Sequence, residues 1–260
     1  MVDEEPVEFQ VAVPYGHIAG KVWRAGAPCA VLCLHGWQDN AGTFDHLAPL
    51  LPRHLCLVAA DFPGHGYSSH RPRGVSDSFV EYLVSIDQLV QHFGWSQVVI
   101  MGHSMGGAAG MLYAGARPSL VHSLVLLDAL KPIHVEPAKL PARTAAALDA
   151  VAQIERKLSG PKPSYTHEEL LQRAMKSHEM SVVMLCHATL QSCSEFILCE
   201  VDGSHHVHLV APERVSPHIA SFLAQDKIPH NNIGNGGKSD DDASIVSKIL
   251  RNNFCHTARL

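Results

Sequence analysis

The chain has 260 residues, 46% of them hydrophobic and 17% charged, which suits one sizeable folded domain and excludes a disordered chain. Its formal net charge of −5 argues against nucleic acid as a partner. No apolar stretch reaches membrane-spanning length and no apolar segment follows Met1-Val2-Asp3-Glu4-Glu5, so neither a membrane span nor a secretory signal is expected.

Along the chain, Phe9–Val13 and His17–Trp23 predict a strand pair joined through Pro14-Tyr15-Gly16. Ala30–Leu34 and Leu55–Ala60 are apolar on both faces, as in inner strands of a helix-covered parallel sheet. The first ends in His35-Gly36-Trp37 and the second in Asp61-Phe62-Pro63-Gly64-His65-Gly66. Phe79, Leu83, Ile86, Val90 and Phe93 fall on one helical stripe, with Ser76 or Asp77 as its start signal. Val98–Met101 is a further strand, and Leu124–Leu127 another, ending at Asp128. Alternating strands and helices argue for a doubly wound α/β sheet with functional groups at the C-terminal ends of its strands.

Between those last two strands lies Gly102-His103-Ser104-Met105-Gly106, followed by the helical run Gly107–Leu112. A G-x-S-x-G turn with a strand before and a helix after is the context of a nucleophile elbow. The turn is too sharp for bulky neighbours, hence the glycines, and it lifts the Ser104 hydroxyl clear of the sheet. It also aims the Met105 N–H and the N-terminus of the following helix at one spot. Ser104 is therefore the candidate nucleophile.

From Lys131 to about Met180 the character changes. Thr144–Ile154 and His167–Met175 predict short amphipathic helices around a Gly160-Pro161-Lys162-Pro163 break. Val182–Leu185 is apolar, Glu195–Val201 predicts a strand, and Ser216–Leu223 a final short helix capped by Ser216. The glycine-rich tail from Asp226 predicts disorder, with a short helix near Ala243–Leu250. The seven cysteines follow no zinc spacing and are expected to be reduced and buried. The cluster His205-His206-Val207-His208 has no accompanying carboxylate or cysteine pattern, so no metal is expected there.

Three segments in order resemble the α/β-hydrolase superfamily: His35-Gly36-Trp37-Gln38-Asp39-Asn40, then Asp61 to Ser69, then Gly102 to Gly107. The His-Gly-Trp-x-Asp-Asn and Ser68-Ser69-His70 wording is most similar to the vertebrate serine hydrolase-like proteins. They are related to epoxide hydrolases and dehalogenases, which use an aspartate nucleophile, so Ser104 argues against that chemistry. The resemblance implies an α/β-hydrolase fold, with a mostly parallel central sheet flanked by helices and a small, truncated helical cap. Residues 1–130 and 181–225 then form the hydrolase core, 131–180 the cap insertion and 226–260 a flexible tail. It also implies that the Trp37 backbone N–H is the second oxyanion donor beside Met105. A tetrahedral oxyanion needs two preorganised donors, each contributing roughly 3 kcal/mol. The Asp61–Ser69 segment is scaffold.

The family's catalytic histidine precedes a proline by seven residues. Counting back from Pro212 selects His205, with His206 as the alternative and His208 packing at a helix start. The family's acid follows its seventh strand, but Ser181–Leu190 holds no carboxylate, and Glu195 belongs to the next strand. The chain is similar to a relative that lacks an internal block, so either Val182–Leu185 fills the vacant slot of the sheet or backbone groups go unpaired. Asp128 is the substitute acid by analogy with some dehalogenases; its alternative is strand-end capping. Asp202 is too near His205 in sequence to orient it.

The expected activity is serine hydrolysis of an ester or thioester of an apolar small molecule, without metal or organic cofactor. The alternative is a hydrolase-fold protein impaired for want of its acid. The tripeptide Ala258-Arg259-Leu260 resembles a peroxisomal targeting signal, which makes an import receptor a second expected partner and the cytoplasm or peroxisome the expected location.

Overall fold

The computed structural model describes residues 5–72, 78–129, 137–158, 166, 169, 180–187, 196–225 and 228. The predicted helix over His167–Met175, the one near Ala243–Leu250 and the tripeptide Ala258-Arg259-Leu260 lie outside these residues, Glu169 excepted.

Eight strands form one sheet: β1 (Val7–Val13), β2 (Gly16–Trp23), β3 (Cys29–Leu34), β4 (Leu55–Ala60), β5 (Val98–His103), β6 (Val121–Leu127), β7 (Met180–His187) and β8 (Phe196–Asp202). Their spatial order is β1-β2-β4-β3-β5-β6-β7-β8. The pairs β3/β4, β3/β5 and β5/β6 are parallel, and β1/β2, β2/β4, β6/β7 and β7/β8 are antiparallel. Six strands therefore run one way, with β2 and β7 reversed, which is the expected mostly parallel sheet. The central strands β3, β4 and β5 are buried at every position, as their two-sided apolar runs require.

Helix α1 (Phe79–Phe93) buries Ile86, Leu89, Val90 and Phe93 against one face of the sheet, beside α2 (Met105–Ala116). It starts at an extended Ser78 rather than at Ser76 or Asp77. It ends at Gly94, whose φ of 68° is the left-handed turn that glycine adopts without strain. The opposite face is covered by the Ala41–Leu51 segment and by α5 (Ser216–Gln225), after the single turn α4 (Val207–Val210). Ser216 is the first residue of α5 rather than its cap. Helix α3 (Leu140–Leu158) lies between β6 and β7 in the chain, and every one of its side chains that is described is exposed.

β7 fills the slot next to β6 but runs against it. Val183 pairs with Leu127, and His187 with Ser123 near the start of β6. The C-terminal end of β7 thus lies at the sheet edge opposite the elbow. β8, reversed once more, brings its own C-terminal end back to the elbow side.

Buried polar groups pin the loops at that edge. The Phe62 N–H donates to His35 Nε2 at 2.9 Å, and His35 Nδ1–H donates to the Gly36 carbonyl at 2.6 Å. Asp61 accepts from the N–H groups of Ala41 (2.6 Å) and Tyr67 (2.8 Å). The Ser68 hydroxyl donates to the Asp61 carbonyl at 2.6 Å. These hydrogen bonds tie the Asp61–Ser69 segment to its neighbours, and His65 packs its ring 5.0 Å from that of His35. Cys29, Cys33, Cys56 and Cys199 are free thiols, and burial pushes Cys56 up to about 12. Cys186 corrects the expectation of seven reduced thiols: it is disulfide-bonded.

Two measurements test this arrangement. Val183 is fully buried between β6 and β8, so Val183→Asp is expected to lower the unfolding free energy by about 3 kcal/mol or more in urea denaturation. Ile197→Asp, on the exposed face of β8, changes it by about 0.5 kcal/mol or less. Equal losses would remove β7 from the sheet interior. Burial holds His35 down to about 4, with its hydrogen bond to Gly36 opposing. Its stabilising contribution is therefore complete above the ordinary histidine value of about 6.5, and it falls by ~1.4 kcal/mol per pH unit as acid protonates the unfolded chain first. The stability gap between the wild type and His35→Gln should narrow by about 2 kcal/mol between pH 6.5 and 5. A constant gap would mean that folding leaves His35 as easily protonated as before.

Candidate active site

Ser104 alone separates β5 from α2, and its backbone is strained, with φ 48° and ψ −113°. Hydrogen bonds on both sides hold that conformation. The Ser104 N–H donates to the Leu127 carbonyl at 3.0 Å, and the Ala108 N–H donates to the Ser104 carbonyl at 3.0 Å. A Cβ on Gly102 would sit 2.5 Å from the Gly107 nitrogen, and one on Gly106 would sit 2.3 Å from the Leu34 carbonyl oxygen. Only glycine lets the helix, the turn and β3 approach so closely. Met105 opens α2, so its N–H has no acceptor one turn back within the helix, and it lies at the positive end of the helix dipole.

Leu34 pairs with Gly102, so the loop after β3 rides beside the elbow. A Cβ on Gly36 would lie 3.5 Å from Ser104 Cβ, which sets the Gly36-Trp37 backbone against the serine. Trp37 is 68% exposed. Gln38, next in the loop, also has positive φ, at 58°. Asn40 closes the loop by accepting, through Oδ1, from the Gly42 N–H at 2.9 Å.

His205 follows β8 and Asp128 follows β6. The His205 Nδ1–H donates to Asp128 Oδ2 in a short contact. Asp128 also has positive φ, at 49°, and directly follows Leu127, whose carbonyl holds the Ser104 N–H. The His205 carbonyl accepts from His103 Nε2–H at 2.8 Å, and the two rings lie 4.6 Å apart. The residue before the serine thus supports the loop that carries the histidine. His103, buried at 1% exposure, was given no part by the sequence; only the fold shows which ring it touches. Among the described residues no hydrogen bond joins the Ser104 hydroxyl to His205, and in hydrolases without substrate such bonds are often long.

The other candidates separate by their contacts. His208 is fully buried, hydrogen-bonded through Nε2 to the Thr43 hydroxyl at 3.0 Å and packed on Phe44. Burial holds it down to about 3, aided by its histidine neighbours, so it is a neutral packing group. His206 is the N-cap residue of α4, and its Nδ1 has no hydrogen-bond partner. Asp202 is exposed and does not orient His205; its carbonyl accepts from Arg214. Glu195 lies outside the described residues. A cavity of about 540 Å³ lined by Phe9, Gly20, Lys21, Asp45, Asp61 and Tyr67, among others, opens beside β1 and β2 and does not include Ser104, His205 or Asp128.

A family model described as alpha/beta hydrolase fold matches residues 30–162. The chain is similar to a probable serine hydrolase of Drosophila melanogaster, at 29% identity over 84% of this chain and 88% of that protein. It is similar to serine hydrolase-like protein 2 of Homo sapiens, at 39% identity over 66% of this chain and 55% of that one. It is also similar to a serine hydrolase-like protein of Danio rerio, at 47% identity over 46% of this chain and 37% of that one. The matched regions therefore span about half or less of those two vertebrate relatives. Among solved structures, a hypothetical protein from Pseudomonas aeruginosa PAO1 aligns with a TM-score of 0.59 and 34% identity, covering 65% of this chain and 59% of that chain. The thioesterase domain from the curacin biosynthetic pathway aligns with a TM-score of 0.55 and 26% identity, covering 66% of this chain and 63% of that domain. With the family model spanning more than half of the chain and the strained elbow at its expected place, the protein belongs to the α/β-hydrolase fold family.

Proposed function

We propose that this chain is a serine hydrolase that cleaves an ester or thioester of an apolar small molecule through an acyl-enzyme. The observation that carries the reading is the contact between Asp128 and the His205 ring beside the strained Ser104. It supplies a carboxylate for the histidine in a chain whose seventh strand offers none.

Each group then has a role that its position supports. Asp128, holding Nδ1–H, leaves Nε2 of His205 as the basic nitrogen. Nε2 takes the proton from Ser104 as Oγ attacks the acyl carbonyl carbon. The carbonyl oxygen becomes an oxyanion held by the Met105 and Trp37 N–H groups. As the intermediate collapses, His205 returns the proton to the leaving alcohol or thiol, and the acyl group stays on Ser104. Water, deprotonated by His205, attacks the acyl-enzyme; the acid is released and Ser104 recovers its proton. The thioester alternative draws on the thioesterase domain among the similar structures. The apolar substrate class draws on the exposed Trp37 at the loop beside Ser104.

Labelling with a fluorophosphonate probe tests the reading. The wild type is expected to label at Ser104, with no signal in Ser104→Ala or His205→Ala. Asp128→Asn should lower turnover of an acyl ester by about 10⁴-fold while the protein stays folded by circular dichroism. A folded wild-type protein that takes no label would sink the hydrolase reading and leave a ligand-binding relative. Full activity in Asp128→Asn would remove Asp128 from the mechanism. Parallel assays with esters and thioesters of increasing acyl length separate the two substrate classes.

A further inference from the structure

Besides His208 Nδ1, three buried polar atoms beside the elbow have no hydrogen-bond partner: Asp39 Oδ2, His103 Nδ1 and His206 Nδ1. The same three residues each offer a ligating atom, and those atoms all lie within 4.8 Å of one another. One unpaired buried polar atom is costly, and three side by side point to a shared occupant.

The rest of these side chains is arranged as metal ligands are. His103 is 1% exposed, and its Nε2–H donates to the His205 carbonyl at 2.8 Å. A carbonyl only accepts, so the proton sits on Nε2 and Nδ1 presents a lone pair. Metal-ligating histidines are oriented in this way, through the far ring nitrogen. Asp39 Oδ1 accepts from the Asn40 N–H at 2.8 Å, leaving Oδ2 for a ligand. The His206 ring lies 5.0 Å from that of His103. Glycine at position 36 keeps room beside His103 Nδ1, since an added Cβ would come within 2.8 Å of it.

We propose that Asp39, His103 and His206 bind one divalent transition-metal ion of the zinc class. Two imidazoles and one carboxylate are a donor set that zinc takes in three-ligand sites, with a fourth position open to water. Zinc–ligand bonds of about 2.0–2.1 Å set tetrahedral ligand atoms roughly 3.4 Å apart, so side-chain rotation must close the set. Asp39 and His206 are half-buried loop residues able to make it, while His103 is locked at the end of β5. The ligands come from the three segments that carry Trp37, Ser104 and His205. The ion therefore ties those segments together without using Ser104, His205 or Asp128.

The test is calorimetric titration of the metal-stripped full chain with Zn²⁺, with Co²⁺ absorption as the readout of ligand geometry. One saturable site with the visible bands of low-coordinate cobalt is expected. Loss of a direct ligand exceeds the 10–100-fold loss typical of its supporting partners, so Asp39→Asn and His206→Gln should each weaken the site by ~100-fold or more. His46→Gln alters an exposed histidine and should leave it unchanged. Circular dichroism confirms that each variant is folded, and fluorophosphonate labelling reports separately on the serine. Absence of saturable Zn²⁺ and Co²⁺ uptake overturns the proposal, as does a site whose affinity survives in both Asp39→Asn and His206→Gln.

Discussion

The outer edge of β6 is a row of N–H and C=O groups in the middle of a buried sheet, and their need for partners governs the C-terminal half of the chain. Met180–His187 meets that need, antiparallel. An antiparallel neighbour satisfies the hydrogen bonds as well as a parallel one does, but it delivers its C-terminal residue to the wrong edge. The end of β7 at His187 therefore lies beside Ser123, at the edge of the sheet away from the elbow. The carboxylate against His205 instead comes from the end of β6 itself, at Asp128, one residue past the carbonyl that holds the Ser104 N–H.

The same edge gathers the chain's backbone strain. Among the described residues, four non-glycine positions have positive φ, and Ser104, Asp128 and Gln38 are three of them. Such conformations persist only where surrounding contacts over-determine them. Here those contacts are close backbone approaches at Gly102 and Gly106 and the buried hydrogen bonds of His35 and Asp61. Rigidity at the base of the loops is what the proposed mechanism needs to hold groups from distant segments in mutual register.

Histidines crowd this region, and their partners distinguish them. His35 uses both ring nitrogens on backbone groups and is scaffold. His208 is sealed against Thr43 and Phe44. His205 gives Nδ1–H to a carboxylate, which is the arrangement of a base. His103 and His206, like His208, each keep a buried Nδ1 with nothing to bond, and theirs lie next to an equally unpaired oxygen of Asp39. Desolvation holds the deeply buried rings of His35, His103 and His208 neutral.

The sequence by itself determined the strands through β6, the turn at Ser104 and the loop at His35-Gly36-Trp37. These are local: two-sided apolar runs, a glycine-flanked serine, and a helix stripe from Phe79 to Phe93 signal themselves within a few residues. The resemblance to the family singled out His205, seven residues before Pro212. The direction of β7 was not legible, because an apolar run such as Val182–Leu185 satisfies the edge of β6 whichever way it runs. The bond of Asp128 to His205 spans 77 residues, and the Asp39, His103 and His206 cluster draws on three separate strands' ends. Such groupings depend on which C-terminal strand ends the sheet sets side by side, and that is a property of the packed sheet rather than of any stretch of sequence.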